Sequence, residues 1–299
     1  MKRIALAFLI LVVLTGEAKG EPFQVTVSIP PQKYFLERIA GELVTVEIML
    51  PPGASPATYE PRPRQMAALS KSRAYFAIGV PFEAAWLPRF AAANPSMSIV
   101  HTDQGIEKAP ITEQADHEHA DGNGTPSGGA HSGEDQVLDP HIWLSPVLVK
   151  KIAVTIRDAL QEIDPANRSA YAASCDSFLL ELDELHKEIT SLFSRFSSQK
   201  RTFLVFHPSW GYFAQDYQLE QIAIEVSGAE PSPREMAELI ETAGEKKIQA
   251  VFVQPQFSKQ SAQTIAGSIG ARVLVADPLA SNWSGNLKDV AQRFKESLQ

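Results

Sequence analysis

Residues 165–196 read PANRSAYAASCDSFLLELDELHKEITSLFSRF. Phe178, Leu182, Leu185, Ile189, Leu192, Phe193 and Phe196 recur three or four positions apart, the spacing of one apolar helix face. With its polar lead-in from Pro165 the pattern predicts one helix over 165–198, about 33 residues or roughly 50 Å long. That exceeds the width of a small domain, so the segment reads as a strut between two domains.

Both flanks of the strut carry the same alternation. Before it, 24–29 (QVTVSI), 43–50, 75–78 and 98–101 are β-branched or apolar and read as strands. Helical patterns at 32–40, 62–72 and 82–92 lie between them. A further helix begins near Val147 and breaks at Asp164-Pro165. After the strut, strands are expected at 202–206 (TFLVF), 221–226, 250–253 and 273–276, with helices around 210–217, 233–247 and 258–270. Strands alternating with helices imply mostly parallel sheets covered by helices. The predicted fold is therefore α/β with two lobes, 21–164 and 199–299, joined by a long rigid helix, with a cleft between them. Residues 112–136 interrupt the first lobe with a run rich in Gly, carboxylates and histidines; a loop that long inside a compact domain is functional or disordered.

Composition narrows the function. The chain has 299 residues, 44% hydrophobic and 21% charged, which suffices for two cored domains. Its formal charge of -8 argues against nucleic acid as a partner, since phosphate contacts need clustered Lys and Arg. A single cysteine, Cys175, excludes an intrachain disulfide and a Cys-based zinc site, and its place in the helical pattern suggests packing. At the front, Lys2 and Arg3 precede the apolar run 4–14 and the small-residue exit Ala18-Lys19-Gly20, the layout of a secretory signal peptide over 1–20. No cysteine follows that run to take a lipid anchor. An exported, periplasmic monomer is expected.

Ligands of open α/β sheets sit beyond the carboxyl ends of the strands. His207 directly follows the predicted strand TFLVF, and Asp277 follows VLVA, so both belong at one edge of the second lobe. His141 lies in Asp139-Pro140-His141-Ile142-Trp143, fixed between a proline and an aromatic. His117, His119 and His131 stand among carboxylates on 112–136, a weak metal-capturing composition. His101 and His186 read as structural or surface residues, His186 on the outer side of the long helix. No HExxH, G-x-S-x-G or phosphate-cradling loop is present, so the sequence offers little for catalysis.

Six stretches together resemble one family. They are PPGASPATYEPRPRQ (51–65), DPHIWLSP (139–146), FHPSWGYFAQDY (206–217), EPSPREMAELI (230–240), VFVQPQFS (251–258) and ADPLA (276–280). In this order they are similar to the periplasmic zinc- and manganese-binding proteins of ABC transporters, zinc branch. The resemblance implies a receptor that captures a divalent metal between two lobes and delivers it to an ABC permease in the inner membrane. It also implies the ligands His141, His207 and Asp277, and zinc as the favoured metal with manganese as the alternative. The family's first ligand should be the histidine of P-H-x-Y-E-P, but that position here is Ala57. Glu60 or a loop histidine (His117, His119, His131) is the available auxiliary. Two rivals follow from the same residues. An exported zinc hydrolase would use His, His and Asp around a metal-bound water. An altered binder, holding a metal chelate or acting as an adhesin or metallochaperone, would exploit the space at Ala57.

Overall fold

The computed structural model describes residues 21–111, 137–194, 196, 201–225, 228–257 and 259–298. The expected signal segment 1–20 and the loop 112–136 lie outside them.

The first sheet is formed by β1 (Phe23–Val27), β2 (Val44–Ile48), β3 (Ala74–Ala77) and β4 (Ser98–His101) in the order β2-β1-β3-β4, all parallel. Parallel neighbours need crossovers, supplied here by α1 (Pro30–Ala40), α2 (Pro63–Leu69) and α3 (Pro81–Ala93). Each of these helices carries proline in its first turn, where a missing N–H costs nothing and the fixed φ suits the helix. That is why α1 begins two residues before the apolar periodicity suggested. After 137 the chain makes a 3-10 turn at Ile142–Leu144, and α4 (Pro146–Ile163) starts on a true cap, Ser145 Oγ accepting from Leu148 N–H at 3.0 Å.

The expected 33-residue helix is shorter. Pro165–Asn167 form a separate 3-10 turn, Asn167 holds a non-helical backbone, and α5 runs from Arg168 to Phe193 over 26 residues, about 39 Å. Beyond it β5 (Thr202–Val205), β6 (Glu220–Ala223), β7 (Ala250–Val253) and β8 (Arg272–Val275) repeat the first sheet's arrangement, in the order β6-β5-β7-β8. Helices α6 (Gly211–Asp216), α7 (Pro233–Glu245) and α8 (Gln260–Ile269) connect them. The last helix among the described residues, α9 (Trp283–Ser297), adds to the elements expected from the sequence.

The long helix packs on both halves. Near its middle Phe178 meets Phe35 of α1 with ring centroids 6.1 Å apart; at its end Phe193 meets Phe213 of α6 at 6.4 Å. Helix α9 bridges them a second time. Trp283 stands edge-on to Phe35 at 5.0 Å, while Phe294 stacks on Phe203 of β5 at 4.2 Å. The main buried apolar cluster therefore runs through α1, α4, α5, the inner face of the second sheet and α9 as one body. A separate cluster fills the space between the second sheet and helices α7 and α8. Among the described residues no helix is long and apolar enough to cross a membrane.

Candidate metal centre

The register of the second sheet aligns its carboxyl edge. Val205 pairs with Ala223 and with Phe252, and Phe252 pairs with Leu274. Two residues further along each strand lie Glu225, His207, Gln254 and Ala276, followed at once by Asp277. The strand-end rule thus places His207 between a carboxylate and an amide. Its Nδ1 is 2.5 Å from Glu225 Oε2. Gln254, itself buried, clamps the peptide: its Oε1 accepts from His207 N–H at 3.2 Å and its Nε2 donates to His207 C=O at 2.6 Å. Phe257 stacks on the imidazole with centroids 5.0 Å apart and planes 23° apart.

His141 comes from the other half. Asp139 Oδ1 accepts from the His141 backbone N–H at 2.9 Å and lies 2.7 Å from Nδ1. One carboxylate so fixes both backbone and ring, and the intervening proline limits the backbone further. The segment is nailed to the second half by Tyr212, whose hydroxyl donates to Asp139 C=O at 3.0 Å and accepts from Ala109 N–H at 2.9 Å. Trp143 Nε1 donates to Pro278 C=O at 2.7 Å, and Trp283 Nε1 donates to Trp143 C=O at 2.7 Å. Ser145 Oγ, the α4 cap, donates to Asp216 Oδ2 at 2.6 Å. These bonds cross from one half to the other directly behind His141.

The result is a pair of imidazoles from opposite halves, His141 and His207, with ring centroids 5.2 Å apart. Each has Nδ1 engaged by a carboxylate, which leaves Nε2 as the donor to a metal. Burial pushes the His141 imidazole below its usual pKa, and His207 pushes it the same way, against the opposing pull of Asp139. A neutral ring is the form that binds metal.

Asp277 sits apart from the pair. It rises from β8, two strands from β5, a lateral separation of about 10 Å at ordinary strand spacing. Its Oδ1 accepts from Leu279 N–H at 2.9 Å and from Gln256 Nε2 at 3.2 Å. Ala57 and Glu60 are exposed on the 51–62 loop. That loop lies against α3, with Pro56 C=O accepting from Phe82 N–H at 3.1 Å and the Tyr59 ring edge-on to Phe82 at 5.6 Å. Among the described residues no three His, Cys, Asp or Glu side chains are grouped closely enough to hold a metal ion. So the structure brings together His141 and His207, and brings neither Asp277 nor Glu60 into their group. His117, His119 and His131 lie outside the described residues.

Two other histidines are clarified. His101 ends β4 and is exposed. His186 does not lie on the outer side of the long helix: its ring packs on Tyr217 at 5.4 Å, with Nδ1 buried. Cys175 is buried in α5, with Sγ 3.7 Å from Ala153 C=O of α4.

The profile of the family described as zinc-uptake complex component A, periplasmic, matches residues 25–297. The chain belongs to that family. Its sequence is 26% identical over 272 residues to the high-affinity zinc uptake system protein ZnuA of Bacillus subtilis, covering 89% of this chain and 81% of that protein. It is 27% identical over 286 residues to the manganese-binding lipoprotein MntA of Halalkalibacterium halodurans, covering 91% and 88%. Among solved structures, a crystal structure of ZnuA superposes with a TM-score of 0.83 at 45% identity, covering 93% of this chain and all of that one. The two-lobed architecture with its long helix is shared with that ZnuA crystal structure.

Proposed function

We propose that this protein is the solute-binding receptor of a metal ABC importer, capturing a divalent transition metal between its halves and passing it to a permease in the inner membrane. The observation that carries the reading is the His141–His207 pair, 5.2 Å between ring centroids, drawn from opposite halves. Each ring is backed by its own carboxylate, Asp139 or Glu225. Carboxylate–imidazole–metal arrays of this kind fix the ring and raise its basicity as a ligand. Asp277, swung in from the end of β8 two strands away, is the third ligand in this reading, with Glu60 and the histidines of 112–136 as auxiliaries. Two imidazoles favour zinc; with an added carboxylate the set also accepts manganese.

The domain reading follows: a first lobe over 21–164, the connecting segment 165–198 and a second lobe over 199–299, exported behind a cleaved segment 1–20 and acting as a periplasmic monomer. The halves share one core and are tied behind His141 by the Trp143, Tyr212 and Trp283 bonds, so they hold the two imidazoles at nearly fixed separation. Release then calls for a small displacement of a strand-end loop, such as that of Asp277, on docking to the permease. A receptor role suits the donors better than hydrolysis does. Both carboxylates nearest the imidazoles are committed to Nδ1 atoms, so neither is free as the base that a metal-bound water would need.

Calorimetric titration of the metal-stripped protein with zinc and then manganese tests the reading. One-to-one zinc binding that is lost in His207→Ala is the expected result. Zinc affinity unchanged in His207→Ala would overturn it.

A further inference from the structure

We infer, on the receptor reading just given, that Phe257 is a positioning residue for the site: its ring fixes the plane of the His207 imidazole and so sets how tightly the metal is held. The two imidazoles are not equally restrained. The His141 side chain is 9% exposed, lies against the Trp143 ring at 5.2 Å, and has its backbone and ring tied to one carboxylate. The His207 side chain is 22% exposed, and its ring is tied through Nδ1 to Glu225 Oε2. The Gln254 clamp acts on the His207 peptide, which leaves χ1 and χ2 to be settled by other contacts. A hydrogen bond restrains a single combination of two torsions, and it tolerates about 30° of misalignment. A flat surface against the ring restrains the rest.

Phe257 supplies that surface. Its ring stacks on the imidazole with planes 23° apart and centroids 5.0 Å apart, within the range of stacked aromatic pairs. The ring is itself anchored. Phe257 N–H donates to Gln254 C=O at 3.2 Å, closing a turn over Gln254-Pro255-Gln256-Phe257. Proline at the second position of such a turn pre-sets its φ. Gln254, the first residue of the turn, is buried and donates to both His207 C=O and Ser209 Oγ, at 2.6 and 3.1 Å. Phe257 also meets the buried Phe206 ring at 5.4 Å. The turn therefore grips His207 twice, by its peptide through Gln254 and by its ring through Phe257. Phe257 stands outside any strand or helix and is half-buried, so its ring can be exchanged without breaking the sheet.

The test uses Phe257→Leu and Phe257→Met, which keep an apolar side chain and lose the flat face, beside Phe257→Tyr, which keeps the face. Zinc affinity of the metal-stripped proteins is read by calorimetry, in the parent and in a His207→Ala background. The expected result is about tenfold weaker zinc binding in Phe257→Leu and Phe257→Met, the lower end for groups that orient a ligand, with Phe257→Tyr within about twofold of the parent. In His207→Ala, adding Phe257→Leu should leave the residual zinc binding unchanged, because the ring it orients is gone. Parent-like affinity in Phe257→Leu and Phe257→Met, while His207→Ala loses tight binding, would overturn this inference and leave the receptor reading standing. An equal loss in Phe257→Tyr, or a further tenfold loss in the double variant, would also overturn it, since the aromatic face would then not act through His207. Parent-like zinc binding in His207→Ala would remove the receptor reading as well.

Discussion

The sharpest handle on the proposed site is Glu225, because it would act on a bound metal only through His207. In Glu225→Gln the amide oxygen can still accept from Nδ1–H, so the ring keeps its partner but loses the charge. The bond is short, 2.5 Å, and Glu225 is 8% exposed, so little solvent dilutes it. Hydrogen bonds to charged groups contribute about 1.5–3 kcal/mol and neutral ones about 0.5–1.5 kcal/mol. The difference, roughly 1–1.5 kcal/mol, corresponds to about a tenfold loss of zinc affinity. Glu225→Ala also frees the ring to rotate and should approach the upper end of the range for such supporting residues, about 100-fold. Calorimetry at low salt and again near 1 M salt separates two causes. Loss of long-range attraction fades with screening, whereas loss of ring orientation in Glu225→Ala persists. If both variants bind zinc within twofold of the parent while their melting curves match it, Glu225 does not orient a metal ligand and the site argument fails.

Other expectations follow from the same geometry. Deleting 117–131 should leave high-affinity zinc binding within about threefold by calorimetry, since His141 and His207 carry the site in this reading, with tight binding lost in His207→Ala. Trp283→Ala removes a buried indole and its bond to Trp143 C=O, costing about 3–5 kcal/mol; calorimetric melting should show one lowered transition, because the core is shared. The His141 imidazole is held below its usual pKa by burial, so the folded protein binds fewer protons than the unfolded chain once pH falls below about 6.5. Its stability contribution is whole above that value and is lost as pH drops toward the folded-state pKa. Zinc affinity should fall over the same window, read by titration at pH 7.5, 6.5 and 5.5.

The general plan was readable because two periodicities announce it: β-branched runs at the strands and an apolar stripe along the long helix. The length of that helix was overestimated because Asn167 and Pro165 form their own turn, a choice that apolar spacing does not register. Helix α9 carries the same signal, Trp283, Leu287, Val290, Ala291, Phe294 and Leu298 at helical spacing, and should have been expected alongside the long helix. The strand-end rule singled out His207, its proline and aromatic neighbours singled out His141, and the structure sets the two rings with centroids 5.2 Å apart. Asp139 could have been suspected from its spacing of two before His141. Glu225 could not, because its contact depends on the β5–β6 register, eighteen residues apart, and register is settled by packing across the whole sheet. His186 was misjudged for a similar reason: the helical wheel gives its angle, and only the docked α6 supplies Tyr217 to cover it.

The two sheets also explain why their edges play different parts. Both have the same strand order, so both open a crevice where the order reverses, between β1 and β3 and between β5 and β7. In the first sheet that crevice is sealed. Gln32, at the third position of α1, accepts from Ser28 N–H at 3.0 Å and Ile29 N–H at 3.2 Å, and donates to Phe76 C=O at 2.9 Å. Glu83, at the third position of α3, accepts from Ile78 N–H at 2.9 Å and Gly79 N–H at 2.7 Å, and Ser28 Oγ bonds to it as well. Every strand-end amide there is answered by a helix side chain, and burial raises the Glu83 pKa above its usual value. In the second sheet the matching positions are His207 and Gln254, and Gln254 braces the His207 peptide while the ring points at Glu225. The first half contributes its imidazole from elsewhere, the Asp139–Trp143 segment laid across to the second half. A sealed crevice on one side and an equipped one on the other place the imidazole pair at the junction, where any change in how the segment lies against α6 and α9 moves one imidazole relative to the other.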